Sequence, residues 1–297
     1  MGRPFSLMVA LTACLLAGGS FPAATGGFSL RFHGNGVNDI DRVKILLEPG
    51  YPVNVGATDL TVEWWMKANP GENSAGAIPP SGNNWIFGNI IVDRDVFGSG
   101  DYGDYGVSLG AGRLAFGVGT SVGGDHTIVG SRVVADGTWH HVAVTRRRSD
   151  GRMQLFVDGA LDASAIGPTG HASYRSNRPT AWPASDPYLV IGAEKHDAGP
   201  QYPSYRGWFD EMRISPTIRY NGAFIRPTEP FVRDASTAGL YHFDEGGGDV
   251  VSDSSMAPFG PSHGVRRFGG SPAGPEWSTE TPWVPPLSVP TNLRVMR

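Results

Sequence analysis

Residues 137–145 read Gly137-Thr138-Trp139-His140-His141-Val142-Ala143-Val144-Thr145, and residues 154–161 read Gln154-Leu155-Phe156-Val157-Asp158-Gly159-Ala160-Leu161. Extended, the first stretch puts His140, Val142 and Val144 on one face and Trp139, His141 and Ala143 on the other. In the second, Asp158-Gly159 separates two apolar runs. A two-residue turn there needs positive φ at both positions, which Asp tolerates and Gly favours, so the pair predicts a β-hairpin. The same alternation recurs upstream, with Leu60, Val62, Trp64 and Met66 opposing Thr61, Glu63, Trp65 and Lys67. Shorter runs lie at 28–32, 42–47, 85–92, 105–109, 113–118, 188–191, 208–214 and 240–243, giving about a dozen strands. No window of twelve residues carries a helical period, and a single helical turn is placed at most near 215–220.

The composition agrees. Gly contributes 42 and Pro 24 of 297 residues, enough to interrupt the chain repeatedly, while 40% apolar residues suffice for a core. Gly without a triplet period excludes a collagen-like chain, and the apolar content excludes a simple disordered tail. The length allows one large β domain or two small ones. Net charge is −4, and the longest basic run is Arg146-Arg147-Arg148. No polyphosphate-binding field is present, so nucleic acid is not an expected partner.

Residues 1–26 read as an export signal peptide. Arg3 precedes an apolar run from Leu7 to Leu16, and Ala23-Ala24-Thr25-Gly26 supplies small residues for cleavage. That run is too short to span a bilayer, and no later segment approaches a span. A secreted or cell-surface location follows. The one cysteine, Cys14, ends Leu11-Thr12-Ala13-Cys14, which resembles a bacterial lipobox and its lipid anchor. Leu15-Leu16 continues the apolar run past it, as in an ordinary signal. The expected partition is signal 1–26, a domain over 27–283 with a C-terminal hairpin at 238–283, and a Pro-rich tail at 284–297.

Four passages carry a resemblance. They are Asp59-Leu60-Thr61-Val62-Glu63-Trp64-Trp65-Met66-Lys67, the Trp139-His140-His141-Val142-Ala143 and Leu155–Gly159 pair, Gly207-Trp208-Phe209-Asp210-Glu211-Met212-Arg213-Ile214, and Leu240-Tyr241-His242-Phe243-Asp244-Glu245-Gly246 with Gly274-Pro275-Glu276-Trp277. Together they resemble the laminin-G-like branch of the concanavalin A-like lectin/glucanase superfamily over about 28–283. The resemblance implies an all-β, two-sheet antiparallel jelly-roll sandwich, which the alternation and Gly-marked turns suit. The tail from Val289 to Val295 resembles the first strand of a fibronectin type III module.

The superfamily includes glucanases, whose Glu-x-Asp-x-x-Glu strand projects paired acids from one face. No Glu in this chain has Asp two positions later, so no catalytic residue is assigned. Gly106-Val107-Ser108-Leu109-Gly110 has the letters of a nucleophile elbow, but a Gly turn and another strand follow instead of a helix. Gly98-x-Gly100-x-x-Gly103 likewise lacks the helix a dinucleotide site needs. The histidines show no chelating spacing. The resemblance implies a structural Ca²⁺ at Asp210, helped by backbone carbonyls; the alternative is an Asp210 bonded to backbone or Arg. A second acid-rich loop, Asp93-Arg94-Asp95 with Asp101 and Asp104, reads first as solvated and second as a calcium loop.

Long loops at 70–84, 167–187 and 195–206 are where binding is expected. Tyr174, Arg175, Trp182, Tyr202, Tyr205 and Arg206 join flat rings to fork-shaped donors, suited to sugar faces and hydroxyls; alternatively the rings form small cores under the loops. The expected function is a secreted, non-catalytic module that recognises a glycan or a surface protein, braced by calcium. The alternatives are a structural or adhesive module of a larger surface assembly, and a glycan-active hydrolase.

Overall fold

The computed structural model describes residues 27–47, 50–97, 103–175, 182 and 184–283. The expected signal, Cys14, Asp101 and the tail lie outside them. Sixteen strands form two antiparallel sheets. The first sheet holds β1 (Ser29–His33), β3 (Leu60–Lys67), β8 (Trp139–Arg146), β9 (Arg152–Val157), β10 (Ala160–Ile166), β12 (Arg206–Ser215), β13 (Gly239–Tyr241) and β16 (Glu276–Ser278). The second holds β2 (Arg42–Leu46), β4 (Asn89–Arg94), β5 (Gly103–Gly110), β6 (Arg113–Thr120), β7 (Gly124–Val129), β11 (Tyr188–Ile191), β14 (Val250–Val251) and β15 (Gly264–Arg267). The strand orders are β10-β9-β8-β3-β12-β1-β16, with β13 also on β12, and β14-β15-β2-β11-β4-β5-β6-β7.

Alternation places the core. Val62, Trp64, Met66, Val142, Val144, Leu155 and Phe209 of the first sheet meet Ile45, Val107, Leu109, Phe116, Leu189 and Ile191 of the second in one buried cluster. Burial of such side chains contributes roughly 1.5–3 kcal/mol each, and Trp64 stacks on Phe209 at 6.0 Å. The hairpin forms as its chemistry dictates: Asp158 has φ 51° and Gly159 φ 77° between β9 and β10. Asp158 also accepts the backbone N–H of His141, tying the turn to β8. His140 and His141 face opposite sides, and each has its own carboxylate: Asp158 for His140, Glu63 for His141.

Two local expectations fail. Residues 84–87 form a 3-10 turn, not the start of a strand, because Trp85 folds down onto the second sheet. Residues 215–220 contain no helix. No alternating run marks β7, and within the expected C-terminal hairpin none marks β14, β15 or β16. The last three are only two to four residues long, too short to show a period.

The outer face of the first sheet is covered by residues 216–237. Phe231 packs with Trp65 and Leu240, and Tyr220 and Phe224 stack on one another against Phe156. The outer face of the second sheet is only partly covered, and the candidate site lies there.

Candidate functional site

Ladder register builds the floor. Asp93, Gly106, Gly117 and Thr127 stand side by side across β4, β5, β6 and β7. The next outward row is Asp104, Gly119 and Asp125. Paired residues share a face, so both rows project outward. Gly106 and Gly117 carry no side chain, and the Trp85 indole lies on them; a Cβ at either position would overlap the ring. Trp85, Ile78, Ile90 and Ala115 form a small core outside the main one. Gly119 likewise has no side chain, and Asp104 Oδ1 and Asp125 Oδ1 both lean over it.

A cavity of about 510 Å³ opens above this floor. Trp85, Phe87, Trp182 and Tyr202 give it aromatic walls, and carboxylates of Asp93, Asp95, Asp104, Asp125, Glu194 and Asp197 give it an acidic interior. The rings are held in place. Phe87 stacks on Tyr202 at 5.9 Å and 18°, and Trp182 stacks on His196 at 6.1 Å and 25°. The volume and mixed lining match the range in which small ligands bind, roughly 300–1,000 Å³.

The electrostatics follow from crowding. Asp93 accepts backbone N–H groups of Asp95 and Lys195 at 2.7 and 2.9 Å, yet burial and nearby Glu194 push its carboxyl up to about 7. Burial, then Asp95 and Asp125, raises Asp104 well above the ordinary range. Asp125 is raised by burial and Asp95, and Asp197 by burial and Glu194. Glu194 runs the other way. Burial opposes its charge, but His196 and the N–H groups of Asp197 and His196 outweigh that and hold it low. His196 is disfavoured as a cation by burial, but Asp186 and Glu194 overcome this and lift it to about 9. Its Nε2 meets Asp186 at 2.8 Å and its Nδ1 meets Glu194 at 3.0 Å. Asp95, Glu194 and His196 bring three ligand-type atoms within 4.8 Å of one another. As they stand these atoms form an ion-pair knot.

The structure brings together two of the six expected binding residues, Trp182 and Tyr202. Tyr205 is corrected: it is fully buried, packs on Phe32 at 6.1 Å, and donates its hydroxyl to the carbonyls of Lys67 and Trp208. Its loop ends in the sandwich, so its ring is core. Tyr174 is half-buried against the main core and exchanges backbone hydrogen bonds with the Asn54 side chain. Arg206 spans His33 and Asn73 at the head of β12. Neither these two nor Arg175 lines the cavity. The Asp93-Arg94-Asp95 stretch is no solvated loop: Asp93 and Arg94 belong to β4 and are buried. Arg94 points to the other side, donating to the Ala172 carbonyl and lying over Tyr105.

Asp210 sits at a bulge in β12, where Glu211 takes φ 47°. Its Oδ1 accepts the Glu211 N–H at 2.9 Å, and its buried Oδ2 has no hydrogen-bond partner. Burial, then Glu211 and Asp244, raises its carboxyl well above the ordinary range.

The cavity acids come from three strands, Asp93 in β4, Asp104 in β5 and Asp125 in β7, and from two loops, which carry Asp95 and Glu194 with Asp197. Their sequence signal is faint: an outward row of Asp104, Gly106 and Ser108 in β5, and of Asp125 and Thr127 in β7, polar or small where a solvated face would be mixed.

Comparison with known proteins agrees with the architecture. Residues 46–219 match the laminin-G model of the concanavalin A-like lectin/glucanases superfamily. The chain belongs to that superfamily. No curated protein matches it. Among solved structures it is similar to a carbohydrate-binding protein from Bacteroides ovatus, at 16% identity and TM-score 0.47, covering 80% of this chain and 57% of that one. It thus spans little more than half of that relative. It is also similar to domains LG4-5 of the mouse laminin alpha1 chain, at 14% identity and TM-score 0.42, covering 84% and 53%. A third is the CBM40 of a Ruminococcus gnavus IT-sialidase, at 14% identity and TM-score 0.43, covering 65% and 92%. These likenesses speak to the fold alone.

Proposed function

We propose that this superfamily member is a non-catalytic binding module, secreted or held at the cell surface, that takes a glycan in the cavity on the outer face of its second sheet. The observation that carries this is the aromatic wall of Trp182, Tyr202 and Phe87 facing carboxylate oxygens across about 510 Å³. Rings bury the apolar face of a pyranose, and carboxylates accept from its hydroxyls. A surface protein presenting a sugar would be read at the same place.

A glycan array followed by calorimetric titration tests this. Trp182→Ala and Tyr202→Ala each remove one ring and are expected to weaken binding about five- to tenfold, or roughly 1 kcal/mol, with melting unchanged. Affinity that survives both substitutions overturns the site.

A specific observation favours one other reading. Asp104 and Asp125 converge over Gly119 with raised carboxyl groups while Glu194 stays ionised, which is the acid and base inventory of glycoside hydrolysis. Reducing-sugar release from a polysaccharide panel, abolished by Asp104→Asn, would replace the binding reading with this one.

We also propose the structural calcium at Asp210. The donor set suits it. A buried carboxylate oxygen lacks a partner, and Glu211 and Asp244 add negative charge. The ion would brace the bulge of β12. Calcium is expected to raise the melting temperature of the wild type and not of Asp210→Ala, since binding stabilises only the form that binds. No shift on adding chelator removes the ion.

A further inference from the structure

We infer that the glycan recognised in this cavity carries a protonated amine, so that an amino sugar is its ligand in preference to a neutral or N-acetylated one. The inference rests on the glycan reading of the same cavity and adds the charge of the ligand.

The argument is a census of charge. Six carboxyl groups line the cavity against one described cation, His196, and His196 is already engaged by Asp186, Glu194 and Asp95. Two neighbouring described cations direct their hydrogen bonds elsewhere. Lys195 is buried and donates Nζ to the carbonyls of Asp186 and Tyr188 at 3.1 Å each. Arg94 lies on the core side of β4 against Ala172 and Tyr105. Asp104 and Asp125 converge over Gly119 with no ion pair among the described residues, and burial first, then repulsion from Asp95, raises both carboxyl groups. A bound ammonium group offers three N–H donors and a full positive charge, which relieves that repulsion. N-acetylation deletes the charge and two of the donors.

The walls decide between an organic cation and a bare ion. A metal ion would occupy a small part of about 510 Å³ and leave the stacked Phe87, Tyr202 and Trp182 without a role. An ammonium-bearing pyranose uses both halves: the rings take its apolar face and attract its charge, while the acids take its amine. Sulfated or uronic sugars would bring negative charge to negative charge and are excluded by the same field.

Calorimetric titration of the intact chain tests this at pH 6, where a sugar amine is protonated. The probes are glucosamine, N-acetylglucosamine and glucose oligomers of one linkage and length. The amine-bearing oligomer is expected to bind at least tenfold more tightly, a preference that shrinks with added salt. Asp104→Asn/Asp125→Asn, checked for a cooperative unfolding transition, should lose most of that preference, so that on this variant the amine-bearing oligomer binds no more tightly than the glucose oligomer. Equal or tighter binding of the N-acetylated or neutral oligomer overturns the amine and leaves the glycan reading intact. A preference that disappears on adding chelator assigns the negative field to a metal ion and overturns it too. Binding of choline with no oligosaccharide binding overturns the glycan reading, and the amino sugar with it.

Discussion

Tyr205 and Gly117 show how single residues separate fold from site. Tyr205 looks like a ligand residue because it sits among Tyr202, Arg206 and prolines in a long segment. Its ring is nevertheless core, and its hydroxyl serves two carbonyls, those of Lys67 and Trp208, at 2.8 and 3.1 Å. Tyr205→Phe removes that donor and is expected to cost about 1–3 kcal/mol in denaturant unfolding, with glycan affinity unchanged. Weakened binding without lost stability would return Tyr205 to the site. Gly117 is the converse case, a residue with no chemistry of its own on which the site depends. A methyl there overlaps the Trp85 ring, which lies directly on the glycine. Gly117→Ala is expected to destabilise by about 1–3 kcal/mol, as overpacking does, and to shift the Trp85 fluorescence. An unchanged spectrum would show the ring is not seated on the sheet.

At the level of elements, the two outer faces are handled differently, and one carboxylate accounts for much of the difference. Glu63 is fully buried on the outer side of β3. It accepts from Arg213 Nε at 2.8 Å, from the Tyr220 hydroxyl at 2.7 Å, and pairs with His141 Nε2 at 3.2 Å. Tyr220 belongs to the covering segment 216–237, so Glu63 fastens that segment to the first sheet. Burial opposes the charge, but His141 and Arg213 outweigh it and hold the carboxyl below its usual 4.5. A depressed carboxyl stabilises above the unfolded value and loses that contribution as pH falls through the folded one. Glu63→Gln leaves the largely buried Arg213 guanidinium without its counter-charge, which costs about 3–5 kcal/mol. Hydrogen exchange should then accelerate first in 216–237. Uniform acceleration across both sheets would show that the segment is not a separately fastened element. The covering segment was not legible in the sequence, because its anchors, Tyr220, Phe224 and Phe231, follow neither a period of two nor of 3.6. They are set by the partners they meet. The β8–β9–β10 hairpins were legible, since alternation and Asp158-Gly159 are local signals that the backbone must obey.

Across the whole molecule the same division holds. The sandwich could be read from the chain because each strand announces its own buried face. The cavity could not, because Asp93, Asp104, Asp125 and Glu194 become neighbours only through the ladder register of non-adjacent segments. Trp182 and Tyr202 are legible by residue type, whereas Asp93, Asp95 and Asp104 read in sequence as a solvated or calcium loop and nothing local marks Asp125, Glu194 or Asp197. These acids give the molecule a pH signature. Asp93 is pushed up to about 7 from 3.8, and Asp104, Asp125 and Asp197 are also raised. Between these limits the unfolded chain has released protons that the folded chain keeps, so stability falls as pH rises from about 4 to about 7. His196, lifted to about 9, extends the decline in the same direction above 6.5, while Glu194 and Glu63 act only at the acid end. The melting temperature is therefore expected to be higher at pH 5 than at pH 7.5. Asp104→Asn, which has no proton to lose, should flatten part of that fall. An amino sugar binds the ionised carboxylates and must displace their protons, so its affinity should rise over the interval in which the free protein loses stability. The two profiles, melting and titration, would then mirror each other. If melting stays flat from pH 5 to 7.5 in both wild type and Asp104→Asn, the cavity acids are ionised throughout and their repulsion is relieved by something other than protons.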